Sequence, residues 1–200
     1  MRLHWRMIIV LSSIGLVSGA LLMSVNLFTK DRIAANKQKE IEEAVIKVIP
    51  GTKSSQKIYE EKDFTVYRGQ DDNGHVLGVA INTAAGGFQD KISYIFGLNA
   101  ELTKINSLFV LEQKETPGLG AKVTNVEAFL KFWEGRDASR PLAMRKPAVK
   151  KDELAPNEVN TITGATISSR AMLTSVNAAM EKIKQLKQEG KFSIEGRDGD

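Results

Sequence analysis

The sequence contains no cysteine, which excludes disulfides, thiolate metal ligation, iron–sulfur clusters and a cysteine nucleophile. It has only two histidines: His4, beside the first apolar run, and His75, in DDNGH. That leaves almost no room for a histidine-based triad or a multi-histidine metal site, and His75 reads as a turn-edge residue. No metal site and no catalytic residue is assigned. The net charge of +4 is mild and spread along the chain. No nucleic-acid-binding motif accompanies it, so it reads as a solvated surface and nucleic acid is not expected as a partner.

What the chain does have is a long charge-free run, MIIVLSSIGLVSGALLMSVNLF, from Met7 to Phe28. As a helix it spans roughly 33 Å, enough to cross a bilayer core. A cleaved signal peptide is the rival reading, but its apolar stretch is normally about 7 to 15 residues and no small-x-small cleavage site follows here. The run therefore reads as a retained anchor. Gly15 and Gly19 give a GxxxG spacing, a weak signal for a neighbouring membrane helix. Arg2 and Arg6 precede the span, while Lys30, Arg32, Lys37 and Lys39 follow it. Long domains cross membranes largely regardless of such local charge, so the sequence leaves the side open.

Beyond the span, Ile33, Ile41, Val45, Val48 and Ile49 mark one helical face that stops at Pro50-Gly51. Strand patterns follow at 64–69 (FTVYRG) and 75–84 (HVLGVAINTA), joined by the polar turn DDNG. Two more lie at 91–98 (KISYIFGL) and 104–113 (KINSLFVLEQ), which predicts an antiparallel sheet. TNVE from Thr124 has capping-box spacing and predicts a helix whose Phe129, Leu130, Phe132 and Trp133 enter the core. Residues 135–160 read as an extended surface connection. A last helix is expected from about Ile167, with Met172, Val176, Ala179, Ile183 and Leu186 as its apolar stripe and Gly190 as its stop. The fold class is α+β: a single membrane helix, then an antiparallel sheet with covering helices. The expected layout is an N-terminal cytoplasmic flank at 1–6, a transmembrane helix at 7–28, a stalk helix at 29–50, one domain at 51–190 and a polar tail at 191–200.

The stretch TITGATISSR, residues 161–170, gathers Thr161, Thr163, Thr166, Ser168 and Ser169 at the start of that last helix. Simple helix capping explains such a cluster in most proteins. Gly164 and Ala165, however, place little bulk beside Thr166. The unpaired first-turn amides and the helix dipole also favour a phosphate on its oxygen. In ETPGLG, residues 115–120, Pro117 and Gly118 suit the centre of a type II turn, and Gly120 permits close backbone approach. Such a loop can present amides, and Leu119 an apolar contact, to a planar heterocycle; it can equally be a plain turn.

Taken together, the anchor, AAGGF at 84–88, ETPGLG at 115–120 and TGAT at 163–166 resemble the FMN-binding G subunit of the Rnf electron-transport complex. A related domain occurs in the C subunit of sodium-translocating NADH:quinone oxidoreductase, and the short length favours the Rnf member. The resemblance implies FMN joined through its phosphate to Thr166, with Thr163, Gly164, Ala165 and Ser169 around that phosphate. It also implies that Glu115, Thr116, Pro117, Gly118, Leu119 and Gly120 border the isoalloxazine ring. A separate flavin transferase would attach the group from FAD, so the chain needs no transferase catalyst of its own. The implied role is an electron-carrier subunit, working with other membrane subunits to couple ferredoxin:NAD oxidoreduction to ion translocation. The implied location is the cytoplasmic membrane, crossed once, with the FMN domain on the extracytoplasmic side. Two rivals remain: an anchored extracytoplasmic flavin reductase without those partners, and a non-redox assembly module in which TGAT is a cap and ETPGLG a turn.

Overall fold

The computed structural model describes residues 2–145, 147 and 150–194. It divides into two compact units, one up to Glu40 and one from Ile41 onward. The first helix, α1 (Arg2–Val48), begins in the former and ends in the latter.

In the first unit α1 turns its apolar side chains outward: Leu16 is 75% and Phe28 83% exposed. Ser13, Ser24 and Thr29 return their hydroxyls to the carbonyls of Val10, Ala20 and Val25 at 2.8–2.9 Å. This satisfies these three alcohols within the helix, as a surrounding without water would favour. Among the described residues, α1 is the one helix long and apolar enough to cross a membrane.

The second unit is an antiparallel meander of five strands in sequence order: β1 (Ser54–Glu61), β2 (Phe64–Gln70), β3 (Val76–Gly86), β4 (Lys91–Asn99) and β5 (Ile105–Glu112). The four strands predicted from alternation are β2 to β5. DDNG forms the β2–β3 turn, where Asp71 Oδ1 accepts from the amides of Asn73 and His75 at 2.8 Å. His75 is exposed and pairs with Asp71, a turn-edge residue as expected. The sheet buries both faces. On one, Tyr67, Ala80 and Ile95 pack against Ile41, Ala44, Val45, Val48 and Ile49. The end of α1 therefore belongs to the folded unit, ahead of the Pro50-Gly51 break, because its apolar stripe has a sheet face to cover. On the other face Val66, Ile81, Ile92, Tyr94 and Phe96 meet α2 (Thr166–Gln188) through Met172, Val176 and Ile183.

The helix predicted from Thr124 does not form. Residues Gly120–Thr124 and Leu130–Phe132 make two short 3-10 turns instead. The Thr124 hydroxyl donates back to Ala121 O at 2.9 Å, so it closes the first turn rather than capping a following helix. Asn125 Oδ1 takes the amide of Ala128 at 2.8 Å. Gly135, at φ +73°, ends the segment soon afterwards, leaving it shorter than the roughly 12–15 residues at which helix becomes self-supporting. The aromatics still reach the core: Phe129 and Trp133 are fully buried and cross edge to face at 5.6 Å.

The connection at 135–160 carries a two-stranded parallel ladder, β6 (Ala143–Arg145) with β7 (Glu158–Asn160). It is fastened by buried Arg136, which donates to the carbonyls of Phe132, Ala155 and Lys151 at 2.8–3.2 Å. After Gly190, at φ +68°, the chain returns Phe192 and Ile194 to the core. The rest of the polar tail expected at 191–200 lies outside the described residues.

Candidate functional site

The meander brings the end of β3, the start of β4 and the end of β5 to one end of the sheet, and α2 begins there. The three sequence motifs are thereby gathered: the β3–β4 turn carries AAGGF, the segment after β5 carries ETPGLG, and TGAT leads into α2.

Pro117 and Gly118 form the expected turn. Gly118 has φ +77°, and the Leu119 amide closes on Thr116 O at 3.1 Å. Gly164 also lies at positive φ, +83°, which bends TGAT so that the chain enters α2 at Thr166. Ala165 is the cap residue and makes no side-chain capping bond. The alcohols are not spent on capping. Ser169 is buried and donates to Ala165 O at 2.8 Å, Ser168 to Glu115 Oε2 at 2.7 Å, and Thr161 to Arg145 O at 2.6 Å. Thr163 and Thr166 are exposed.

Thr166 stands between two clefts. One, of about 320 Å³, is lined by Phe88, Glu115, Thr116, Leu119, Gly120 and residues 164–168. The other, of about 560 Å³, is lined by residues 84–86, Thr166, Ile167, Arg170, Ala171, Thr174, Ser175 and Ala178. Of the expected contacts, Glu115, Thr116, Leu119, Gly120, Gly164, Ala165 and Thr166 line the smaller cleft. Thr163, Pro117, Gly118 and Ser169 line neither, the last because it faces the interior. Phe88, Leu119 and Ile167 are 70%, 51% and 59% exposed, an apolar rim around the smaller opening.

Glu115 lines this cleft and is also tied to the surrounding protein. Its side chain is buried, and Oε1 accepts from the amides of Gln89 at 2.9 Å and Asp90 at 3.4 Å while Oε2 accepts from Ser168. Burial opposes its charge, but the hydrogen bonds from Gln89, Ser168, Asp90 and Phe88 outweigh it and hold the carboxyl below its usual range. Thr116 adds a second link between the loops, its hydroxyl 3.0 Å from Gln89 Oε1.

Three residues beside Thr166 or Gly164 were not singled out from the sequence. Phe88 is a large aromatic after a glycine pair, a signal available in AAGGF. Arg170 follows Thr166 by one helical turn, so the spacing could have found it. Lys122 has no sequence signal; a Cβ placed on Gly164 would lie 3.9 Å from its Nζ.

These residues fit a phosphate-tethered planar group. Thr166 offers an exposed hydroxyl at a helix start whose first intrahelical bond is that of Ser169 N to Ala165 O, at 2.9 Å, leaving the preceding amides ahead of the ladder. A Cβ on Gly164 would make only ordinary contacts, with Leu119 Cδ2 at 3.5 Å and Lys122 Nζ at 3.9 Å, and an apolar cleft adjoins.

Comparison with known proteins points to the same site: residues 87–181 match the FMN-binding domain model. The resemblance to the G subunit of Rnf-type complexes is borne out by its curated relatives. The G subunit of the ion-translocating oxidoreductase complex of Methanosarcina acetivorans is 31% identical over 126 residues, covering 62% of this chain and 60% of that protein. The G subunit of the Na(+)-translocating ferredoxin:NAD(+) oxidoreductase complex of Acetobacterium woodii is 31% identical over 127 residues, covering 63% and 58%. The chain thus spans about three fifths of the length of these two relatives. The corresponding G subunit from Aliivibrio fischeri is 25% identical over 197 residues and aligns across 90% of both chains. The crystal structure of Shewanella oneidensis NqrC superposes with a TM-score of 0.53 at 22% identity, covering 73% of each chain, and shares the fold.

Proposed function

We propose that this chain is the flavin-carrying G subunit of an Rnf-type ion-translocating oxidoreductase, with FMN esterified through its phosphate to Thr166. The observation that carries the reading is the position of Thr166: an exposed hydroxyl at the first residue of α2, between two clefts, inside the segment that matches the FMN-binding domain. Bound FMN supplies a centre able to take up one or two electrons. The chain's own residues hold and orient it. The α2 start, with Lys122 and Arg170 nearby, offsets the phosphate charge, while Leu119, Phe88 and Ile167 offer apolar surface to the ring.

The subunit relays electrons within a membrane complex that couples ferredoxin:NAD oxidoreduction to ion movement and does not perform the whole reaction alone. The relatives' names support the complex and its reaction. α1 anchors the subunit in the cytoplasmic membrane, and the FMN domain lies on the extracytoplasmic side, where a covalent bond prevents loss of the group by dilution. A separate flavin transferase loads it from FAD.

Intact mass of the denatured, membrane-expressed protein tests the reading. Mass matching one esterified FMN is expected only when the transferase is present, and Thr166→Val should abolish it with the domain still folded. Covalent flavin retained on the Val variant overturns the assignment.

A further inference from the structure

We infer that Glu115 is a positioning residue: its carboxylate locks the start of α2 in the pose in which Thr166 receives the FMN phosphoryl group. The inference rests on the reading of Thr166 as the attachment point and assigns a part to a residue that resemblance alone places against the flavin ring.

The geometry is that of a clasp between three segments far apart in sequence. Oε1 takes the amides of Gln89 and Asp90 from the β3–β4 turn, at 2.9 and 3.4 Å. Oε2 takes the Ser168 hydroxyl from the first turn of α2, at 2.7 Å. The backbone closes tightly around both oxygens. A Cβ on Gly87 would come within 2.3 Å of Oε1, and one on Gly120 within 2.1 Å of Oε2. With the side chain 5% exposed, most of the carboxylate is turned to protein donors and little is left for a ligand.

Ser168 lies two residues beyond Thr166, and the cap of α2 contributes no side-chain bond. The Ser168–Glu115 contact therefore ties this turn to the sheet, and with it the direction of the Thr166 hydroxyl. Loading forms a bond from Thr166 Oγ1 to the phosphorus of the FMN half of FAD, breaks the pyrophosphate P–O bond, and releases AMP together with the hydroxyl proton. Glu115 takes part in none of these bonds; it restricts where the nucleophile can be, which is where misplacement is most costly.

The test follows flavin loading by intact mass over time, on the full-length protein with the transferase and FAD, at a temperature where circular dichroism shows each variant folded. Glu115→Ala should load roughly tenfold or more slowly. Glu115→Gln should recover most of the rate, because its amide oxygen still accepts from Gln89 while its NH2 donates to Ser168. Ser168→Ala should fall between the wild type and Glu115→Ala. Flavin fluorescence anisotropy of loaded Glu115→Ala should drop below that of the wild type. A side chain that only stabilised the fold would leave rate and anisotropy unchanged in the folded variants, and that result overturns the proposal. If Glu115→Ala does not fold, wild-type rate and anisotropy in Ser168→Ala overturn it equally. A wild type that never gains covalent flavin defeats the Thr166 reading itself, whereas equal loading of wild type and variants defeats the positioning role alone.

Discussion

Tyr94, on β4, donates its hydroxyl to Ser175 Oγ on α2 at 2.7 Å, and the Ser175 hydroxyl donates in turn to the Ala84 carbonyl of β3 at 3.1 Å. This relay joins the helix to two strands beside the wider cleft, whose wall includes both Ala84 and Ser175. Tyr94 is fully buried, and burial pushes its phenol far above the usual range, so it remains a donor at any working pH.

Tyr94→Phe keeps the ring and deletes the donor. A net hydrogen bond contributes about 1 kcal/mol, and Ser175 keeps its bond to Ala84, so a destabilisation of about 1 kcal/mol is expected. Urea unfolding of the detergent-solubilised protein measures it, and a Tyr94→Phe midpoint equal to wild type would deny the relay an energetic role.

Alternating strands β2 to β5, the apolar stripe of α2 and the Pro117-Gly118 turn were legible because each is written in local periodicity or in a residue that a backbone angle demands. Strand β1, SSQKIYEE, was not read: it is a mostly exposed edge strand whose sequence alternates weakly, and only pairing with β2 defines it. The capping-box signal at Thr124 misled because the hydroxyl had a nearer acceptor in Ala121 O. TGAT marked the place of the candidate site, but the clasp at Glu115 joins it to Gln89 and to Ser168, 26 and 53 positions away. No local pattern encodes such a meeting.

Lys122 and Arg170 flank the proposed phosphate position from the 3-10 turn and from α2. Both are exposed, so each contributes a screened attraction rather than a buried ion pair. Either one changed to Ala should slow flavin loading a few-fold at low salt, and the difference from wild type should shrink as salt rises. A salt-independent effect would point to packing instead of charge.

Gly118 and Gly120 sit two residues apart, yet their substitution should differ in kind. At Gly118 a Cβ meets nothing within 4 Å, so Gly118→Ala bears only the strain of φ +77°, about 1 kcal/mol. At Gly120 the same methyl would press on Glu115 Oε2 at 2.1 Å and on Ser168 Oγ at 2.8 Å. Gly120→Ala should therefore lower the thermal midpoint more and also impair flavin loading, while Gly118→Ala loads normally. Equal behaviour of the two would remove the evidence for crowding at the clasp.

The clasp also has a pH signature. The folded protein holds the Glu115 carboxyl below its ordinary value of 4.5, so the folded state binds its proton less readily than the unfolded chain does. Stability from this group is then fully present above 4.5 and is lost as pH falls through the lower folded value. Glu115→Gln removes the titration and leaves the other carboxylates in place. The stability gap between wild type and Glu115→Gln, read by urea unfolding at a series of pH values, should be flat through the neutral range and narrow below 4.5. A gap that instead widens on acidification would mean the burial cost exceeds the hydrogen bonds and the carboxyl titrates above its ordinary value, with the donors from Gln89, Asp90 and Ser168 too weak to hold the charge.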